Sequence, residues 1–201
     1  MVFLKMNKFS KYGKKVDSVV ENHMKIIIEE IKKEIPDIIS ILVIGGLGRG
    51  EGSFLIKNKE VTPLNDYDIY VITKKSADFK ILKKVSINAT KRINDTGKFS
   101  FSQSSNLMEF YVDLRNLTFN QLKKVEPMIK YYEIRESAKV IYGRDVRKDM
   151  PNFSLKDIPY EEGIRFLMNR ISILIECFHI GKITFEKRKT ILYYIGKNYL
   201  T

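Results

Sequence analysis

Two aspartates with one residue between them, Asp66 and Asp68 in PLNDYDIYVIT, have the type and spacing to share one or two divalent cations. Side chains alternate faces along a strand, so positions two apart point the same way, with α-carbons roughly 6 to 7 Å apart. Mg²⁺ is a hard cation that takes a few carboxylates and completes its shell with water and phosphate oxygens. Alone, the pair reads more readily as a polar turn leading into a strand. A third carboxylate, Asp113 in MEFYVDL, changes that weighing. Phe110, Val112 and Leu114 fall on one face of this alternating segment, and Glu109, Tyr111 and Asp113 on the other. An aspartate in an otherwise apolar strand is costly to bury unless it is paired or metal-bound. If the two segments are neighbours in one sheet, three carboxylates converge, and a cation relieves their repulsion.

Upstream, VIGGLGRGEGS (residues 43–53) carries an apolar run into a glycine-rich turn. It is not a P-loop, because Gly45-x-x-x-x-Gly50 is followed by Glu51 where that motif needs lysine. It is not the dinucleotide fingerprint either, since Gly46-x-Gly48 meets Glu51 at the third glycine position. Two readings remain open: bare backbone amides able to approach an anion closely, or a flexible loop without a ligand.

A strand, a glycine turn, a D-x-D strand and a later aspartate on a strand, in that order, resemble the nucleotidyltransferase superfamily. That superfamily includes DNA polymerase beta, kanamycin nucleotidyltransferase and the minimal nucleotidyltransferases. Its pattern falls here on Gly45-Gly46, Asp66-x-Asp68 and Asp113. The phrase GRGEGS also resembles the Arg-Gly-Glu that follows the glycines in antibiotic-modifying and minimal members. The likeness covers residues 38–143. It departs from the family in two places. Gly46 stands where a serine is common, with Ser53 the hydroxyl that could replace it. The stretch between Gly46 and Asp66 is longer than in compact members, which leaves the register of Lys57 and Lys59 open.

The resemblance implies an Mg²⁺- or Mn²⁺-dependent transfer. Asp66 and Asp68 would hold the metal, and Asp113 would bind a second ion or accept the proton of the attacking hydroxyl. Gly45 and Gly46 would offer amides to the β- and γ-phosphates, with Arg49 and Ser53 as further nucleotide contacts. A nucleoside monophosphate would pass from a nucleoside triphosphate, ATP first, to a hydroxyl of a small molecule or protein, releasing pyrophosphate. An RNA or DNA 3′ end is the alternative acceptor. An antitoxin-like regulatory binding module is the alternative from another class. Glu51 reads better as a structural ion-pair partner of Arg49 than as a catalytic group.

The elements that must position these residues are legible as patterns. Residues 17–35 form an amphipathic helix stopped by Pro36, and residues 38–44 form a buried strand. A strand over 66–73 precedes a helix over 77–93, capped by Ser76, with Phe79, Leu82, Val85, Ala89 and Ile93 as its apolar stripe. A short strand at 99–101, the 108–114 strand and a helical stretch over 118–136 follow, and Pro127 is expected to split that stretch in two or kink it. A last strand covers 138–143. Helices over 161–180 and 184–199 end the chain at Thr201 without a clear cap, so the helical region is expected to continue in a longer chain or to meet a partner.

The fold class expected is α+β: a small mixed or antiparallel sheet with flanking helices, in the polymerase-beta-like manner, plus C-terminal helices. Residues 1–150 would be the catalytic domain and 151–201 a helical region. A homodimer or a helical partner protein is the assembly considered. Tyr67, Tyr70 and Tyr111 read as packing before base-stacking, and His23 and His179 as structural. Lys187, Arg188 and Lys189 are acceptor-side candidates by position only.

Composition narrows the setting. A chain of 201 residues with 44% hydrophobic and 30% charged residues is an ordinary globular composition. One cysteine, Cys177, rules out a disulfide framework within the chain and leaves a cytoplasmic location as the expectation. The uncharged run at 38–48 is 11 residues, against the roughly 20 that a spanning helix needs. The net charge is +12. Between Lys74 and Lys98 there are eight basic residues against Asp78 and Asp95, a net +6, mainly on the polar face of the 77–93 helix. A solvated lysine-rich face is the favoured reading, and a nucleic-acid partner the other.

Overall fold

The computed structural model describes residues 8–57, 60–96 and 110–177. Its elements run α1 (Lys14–Glu34), β1 (Ile38–Val43), α2 (Gly45–Arg49), β2 (Phe54–Lys57), β3 (Glu60–Pro63), β4 (Tyr67–Thr73), α3 (Phe79–Thr96), β5 (Val112–Thr118), α4 (Phe119–Leu122), α5 (Ile129–Ser137), β6 (Lys139–Gly143) and α6 (Tyr160–Cys177). Two short 3-10 turns, Arg147–Asp149 and Leu155–Asp157, lie before α6. The class is α+β.

The chain divides into two compact units. Of the described residues, one comprises 8–57, 60–96, 110–126 and 130–152, and the other comprises 127–129 and 153–177. The first holds a four-stranded mixed sheet in the order β5-β4-β1-β6. Strand β1 pairs antiparallel with both β4 and β6, and β4 pairs parallel with β5. A parallel pair needs a crossover, and α3 supplies it. The continuous apolar run of β1 suits a central strand, and its last four residues, Ser40–Val43, are buried.

Helices α1 and α3 pack on each other and share one core with a single face of the sheet. Val20, Met24, Ile27 and Ile31 of α1 and Leu82, Val85, Ala89 and Ile93 of α3 meet Ile41, Val43, Tyr67, Ile69, Val71, Val112 and Leu114. Alternation along the strands therefore sends Asp68, Tyr70, Asp113 and Arg115 to the opposite face.

Several expectations shift. Helix α1 begins at Lys14, three residues before the expected start, because Gly13 at φ 91° makes the turn into it. Asp78 rather than Ser76 caps α3: its side chain accepts from Lys80 N at 2.6 Å. Phe79 lies outside the stripe and is 77% exposed. Strand β5 runs on to Thr118, four residues past the expected end. There Asn116 Nδ2 donates to Val71 O at 2.8 Å and Thr73 Oγ1 at 2.9 Å, extending the pairing. The β2–β3 hairpin fills the long stretch between Gly46 and Asp66. The expected 99–101 strand and 184–199 helix, together with His179, Lys187, Arg188 and Lys189, lie outside the described residues. No described helix is long and apolar enough to cross a membrane.

Candidate active site

Strand direction assembles the site. Because β1 and β4 are antiparallel with Val43 opposite Ile69, the end of β1 stands against the start of β4. Ile44 N donates to Asp68 O at 3.0 Å, and the glycine turn therefore begins beside Asp68. Because β4 and β5 are parallel and in register, Asp113 is the direct partner of Asp68. Asp66 precedes β4 by one residue. Its Oδ1 accepts from Tyr111 N at 3.3 Å, and Tyr67 N donates to Tyr111 O at 3.1 Å. All three sequence-singled aspartates and the two leading glycines thus lie at one end of one sheet.

Tyr67, the residue between the two aspartates, explains why they stay on the outer face. It is 1% exposed, its ring meets Phe110 edge-on at 4.8 Å, and its hydroxyl bonds His23 Nδ1 at 2.9 Å. A tyrosine anchored this way holds the flanking side chains away from the core. Burial lowers the His23 pKa to about 4, so the ring is neutral at neutral pH. His23 is structural, as its place on the helix pattern suggests.

The glycine turn is more ordered than a loop: residues Gly45–Arg49 form the five-residue helix α2. Gly45 has φ +64°, and a β-carbon there would stand 2.9 Å from Asp68 Oδ2. Only glycine fits that conformation and that approach without strain. The N-cap, Ile44, offers no side-chain acceptor to the first amides of α2. Those amides, Gly45 and Gly46 among them, have no acceptor inside the helix, the usual condition for meeting an anion.

Arg49 is engaged within the protein. Its Nε donates to Glu51 at 3.2 Å, and its Nη1 pairs with Glu133. The Arg49–Glu51 ion pair read from the sequence is present. Lys11 also pairs with Glu51 at 3.1 Å, and the bonds from Lys11 and Arg49 hold the Glu51 carboxyl below its usual range. Ser53 lies one residue before β2, and its carbonyl accepts from Leu64 N at 3.0 Å.

Two further residues join the site: Arg115, and Tyr111, which is exposed rather than packed in the core as its strand position suggests. Arg115 donates from Nε and Nη2 to Asp113 Oδ2, at 3.0 and 2.7 Å. Desolvation would lower its pKa, but the hydrogen bonds and charges of Asp113 and then Tyr70 outweigh that and hold the guanidinium charged. Its spacing, two residues after Asp113 on one strand face, is the signal that marks it. Tyr111 is the second. Burial first, then the charges of Asp66 and Asp113, a hydrogen bond to Asp66 and the charge of Asp68 push its phenol up to about 12. The fields of all three carboxylates therefore overlap at one hydroxyl.

Oxygen-only donors of this kind suit a hard divalent cation. Among the described residues, no three His, Cys, Asp or Glu side chains are grouped as a ready metal nest. Arg115 pairs with Asp113 at 2.7 Å, so that carboxylate already meets a cation of the protein's own.

No protein-family model matches the chain, and no curated protein sequence matches it. Solved structures do. A tri-AMPylated Shewanella oneidensis HEPN toxin in complex with MNT antitoxin aligns at 13% identity, covering 79% of this chain and 98% of that one, with a TM-score of 0.40. A toxin–antitoxin structure with AMP-PNP aligns at 13% identity over 78% and 98%, with a TM-score of 0.40. The chain is likewise similar to spectinomycin adenyltransferase AAD(9) from Enterococcus faecialis, solved with ATP and spectinomycin, at 15% identity over 88% of this chain and 89% of that one, with a TM-score of 0.48.

Proposed function

We propose that this chain is a nucleotidyltransferase that moves a nucleoside monophosphate from a nucleoside triphosphate to a hydroxyl of a small molecule or protein. One observation carries the reading: the register that pairs Asp68 with Asp113 also brings Gly45 against Asp68. A phosphate cradle and acidic groups at one sheet end are what phosphoryl transfer requires, because its catalysis is mostly positioning and charge neutralisation.

In this mechanism Gly45 and Gly46 bind phosphate oxygens through their backbone amides. Asp66 and Asp68, with Asp113, are the residues that would hold Mg²⁺ or Mn²⁺, whose chemistry is to neutralise charge on the phosphate oxygens. The acceptor hydroxyl oxygen forms a bond to the α-phosphorus as the bond to the bridging oxygen breaks. Pyrophosphate takes that bond's electron pair and leaves. The hydroxyl proton goes to Asp113, the carboxylate opposite Asp68. Arg115 orients Asp113 before the acceptor arrives. ATP is the first nucleotide to try.

The test is incubation of the full chain with each labelled nucleoside triphosphate, Mg²⁺ and candidate hydroxyl acceptors, beside Asp66→Asn/Asp68→Asn. Transfer by the natural chain that the double variant loses, with unchanged circular dichroism, supports the reading. Equal transfer by the double variant would sink it.

A further inference from the structure

Lys139 reaches from the edge strand of the sheet into the glycine turn. It is the β6 partner of Val43, the last residue of β1. Its Nζ donates to Leu47 O at 2.9 Å and also to Gly48 O, two carbonyls near the end of α2. A β-carbon placed on Gly50 would lie 3.7 Å from the same nitrogen. The cation therefore closes the end of α2 opposite to Gly45 and Gly46. Carbonyls at a helix end carry partial negative charge, and a cation there is favourable.

Burial of this cation is costly and holds its pKa below the usual lysine value, and its surroundings offset that only in part. The Phe9 ring faces Nζ with its centroid 5.9 Å away. Asp17, itself buried, adds an opposing charge and accepts from Phe9 N and Ser10 N at 2.9 Å each. The same segment clamps the turn from its other side, since Gly52 N donates to Phe9 O at 3.0 Å. Three further backbone bonds close the turn on itself: Glu51 N to Gly46 O at 2.7 Å, Gly50 N to Leu47 O at 3.1 Å and Gly48 N to Ile44 O at 3.2 Å.

A cation at a helix C-terminal end ordinarily serves stability. The placement here argues for more. A five-residue helix has too few internal bonds to hold its own shape. The direction of its first amides then depends on whatever fixes its last carbonyls.

We infer that Lys139 is a positioning residue for the phosphate cradle: by holding the Leu47 and Gly48 carbonyls it aims the Gly45 and Gly46 amides at the triphosphate. The inference rests on the nucleotidyltransferase reading. Its lysine makes no contact with phosphate and takes no part in the chemical step.

The experiment compares the full-length chain with Lys139→Met and Lys139→Arg. Binding of ATP–Mg²⁺ and of tripolyphosphate is titrated, transfer is split into kcat and KM, and amide hydrogen exchange is followed across residues 45–52. For Lys139→Met, the dissociation constants of both probes should rise by roughly tenfold or more, the loss of one charge-assisted contact. KM should rise more than kcat falls, and exchange at residues 48–52 should quicken. Lys139→Arg should restore most of the affinity, because it keeps the charge.

Wild-type affinity for both probes in a folded Lys139→Met overturns the inference. So does a loss that Lys139→Arg fails to restore while its exchange in the turn is normal. If the natural chain binds neither probe, the functional reading falls. The exchange data then decide separately whether Lys139 holds the turn: unchanged exchange in Lys139→Met rejects it, and quickened exchange rescued by Lys139→Arg upholds it.

Discussion

Gly45 and Asp68 face each other across the β1–β4 pairing so closely that a β-carbon on Gly45 would lie 2.9 Å from Asp68 Oδ2. Backbone conformation and side-chain contact demand glycine there independently. Gly45→Ala is expected to cost about 1 to 2 kcal/mol for the left-handed backbone alone. The midpoint of thermal unfolding should fall by about 2 to 8 °C. Displacement of Asp68 should weaken nucleotide binding further. Gly46 is the contrast, for its nearest neighbour to a β-carbon is Glu51 O at 3.5 Å, an ordinary contact. Gly46→Ala and Gly46→Ser should fold like the natural chain, and calorimetry beside ATP titration separates the two positions.

Arg115 and Asp113 form an ion pair whose guanidinium side is half exposed. A pair of that exposure contributes about 0.2 to 1 kcal/mol. Arg115→Gln is therefore expected to leave the unfolding midpoint nearly unchanged. It should also release Asp113, lowering the Mg²⁺ concentration for half-maximal transfer by a factor of about 1.5 to 5. A titration of activity against Mg²⁺ checks this, and a higher Mg²⁺ requirement would contradict it.

Buried His23 makes stability depend on pH in a definite direction. Its folded pKa of about 4 lies below the usual 6.5, so the unfolded chain binds the extra proton first. This contribution is fully present above pH 6.5 and is lost as pH falls from 6.5 towards 4. Over that window it amounts to at most about 3 kcal/mol. Urea unfolding at pH 7 and pH 5 should show the chain less stable at pH 5. His23→Gln should flatten that difference.

The OH of Tyr67 bonds His23 Nδ1 at 2.9 Å inside the core. Tyr67→Phe leaves the imidazole nitrogen without that partner and should cost about 1 to 3 kcal/mol. Because Tyr67 holds Asp66 and Asp68 outward, transfer should fall by more than the stability loss explains. Assay at 10 °C, where the variant is fully folded, isolates the effect.

Arg92 ties α3 to α1 by donating to Glu29 at 2.9 Å and to buried Glu30 at 2.6 Å. Lys33 bonds Glu30 too, and with Arg92 it holds that carboxyl below its usual range against the opposing effect of burial. Arg92→Ala should lower stability by about 1 to 2 kcal/mol. The loss should shrink as pH falls through the lowered Glu30 pKa, where protonation removes the pair, and urea titrations across the acid range read it.

Much of the site was legible along the chain. Asp66, Asp68 and Asp113 stand out because a carboxylate among apolar strand residues needs a reason. The alternation of Phe110, Val112 and Leu114 against Tyr111 and Asp113 already assigned faces, and burial follows it. Pro127 marked the break between α4 and α5. The β2–β3 hairpin was not legible, since four-residue strands such as Phe54–Lys57 carry too little pattern. Nor was the length of β5, which depends on Asn116 finding β4 across 45 residues of chain.

Residue type and spacing alone determined which groups could do chemistry here, because alternation along a strand is a local property of the backbone. Which of them meet was a question for tertiary structure. Parallel pairing set Asp113 beside Asp68, antiparallel pairing set Gly45 against it, and β6 carried Lys139 to the carbonyls of α2. Strand order and register are long-range choices, settled by the burial of a shared core. No periodicity within a single segment encodes them.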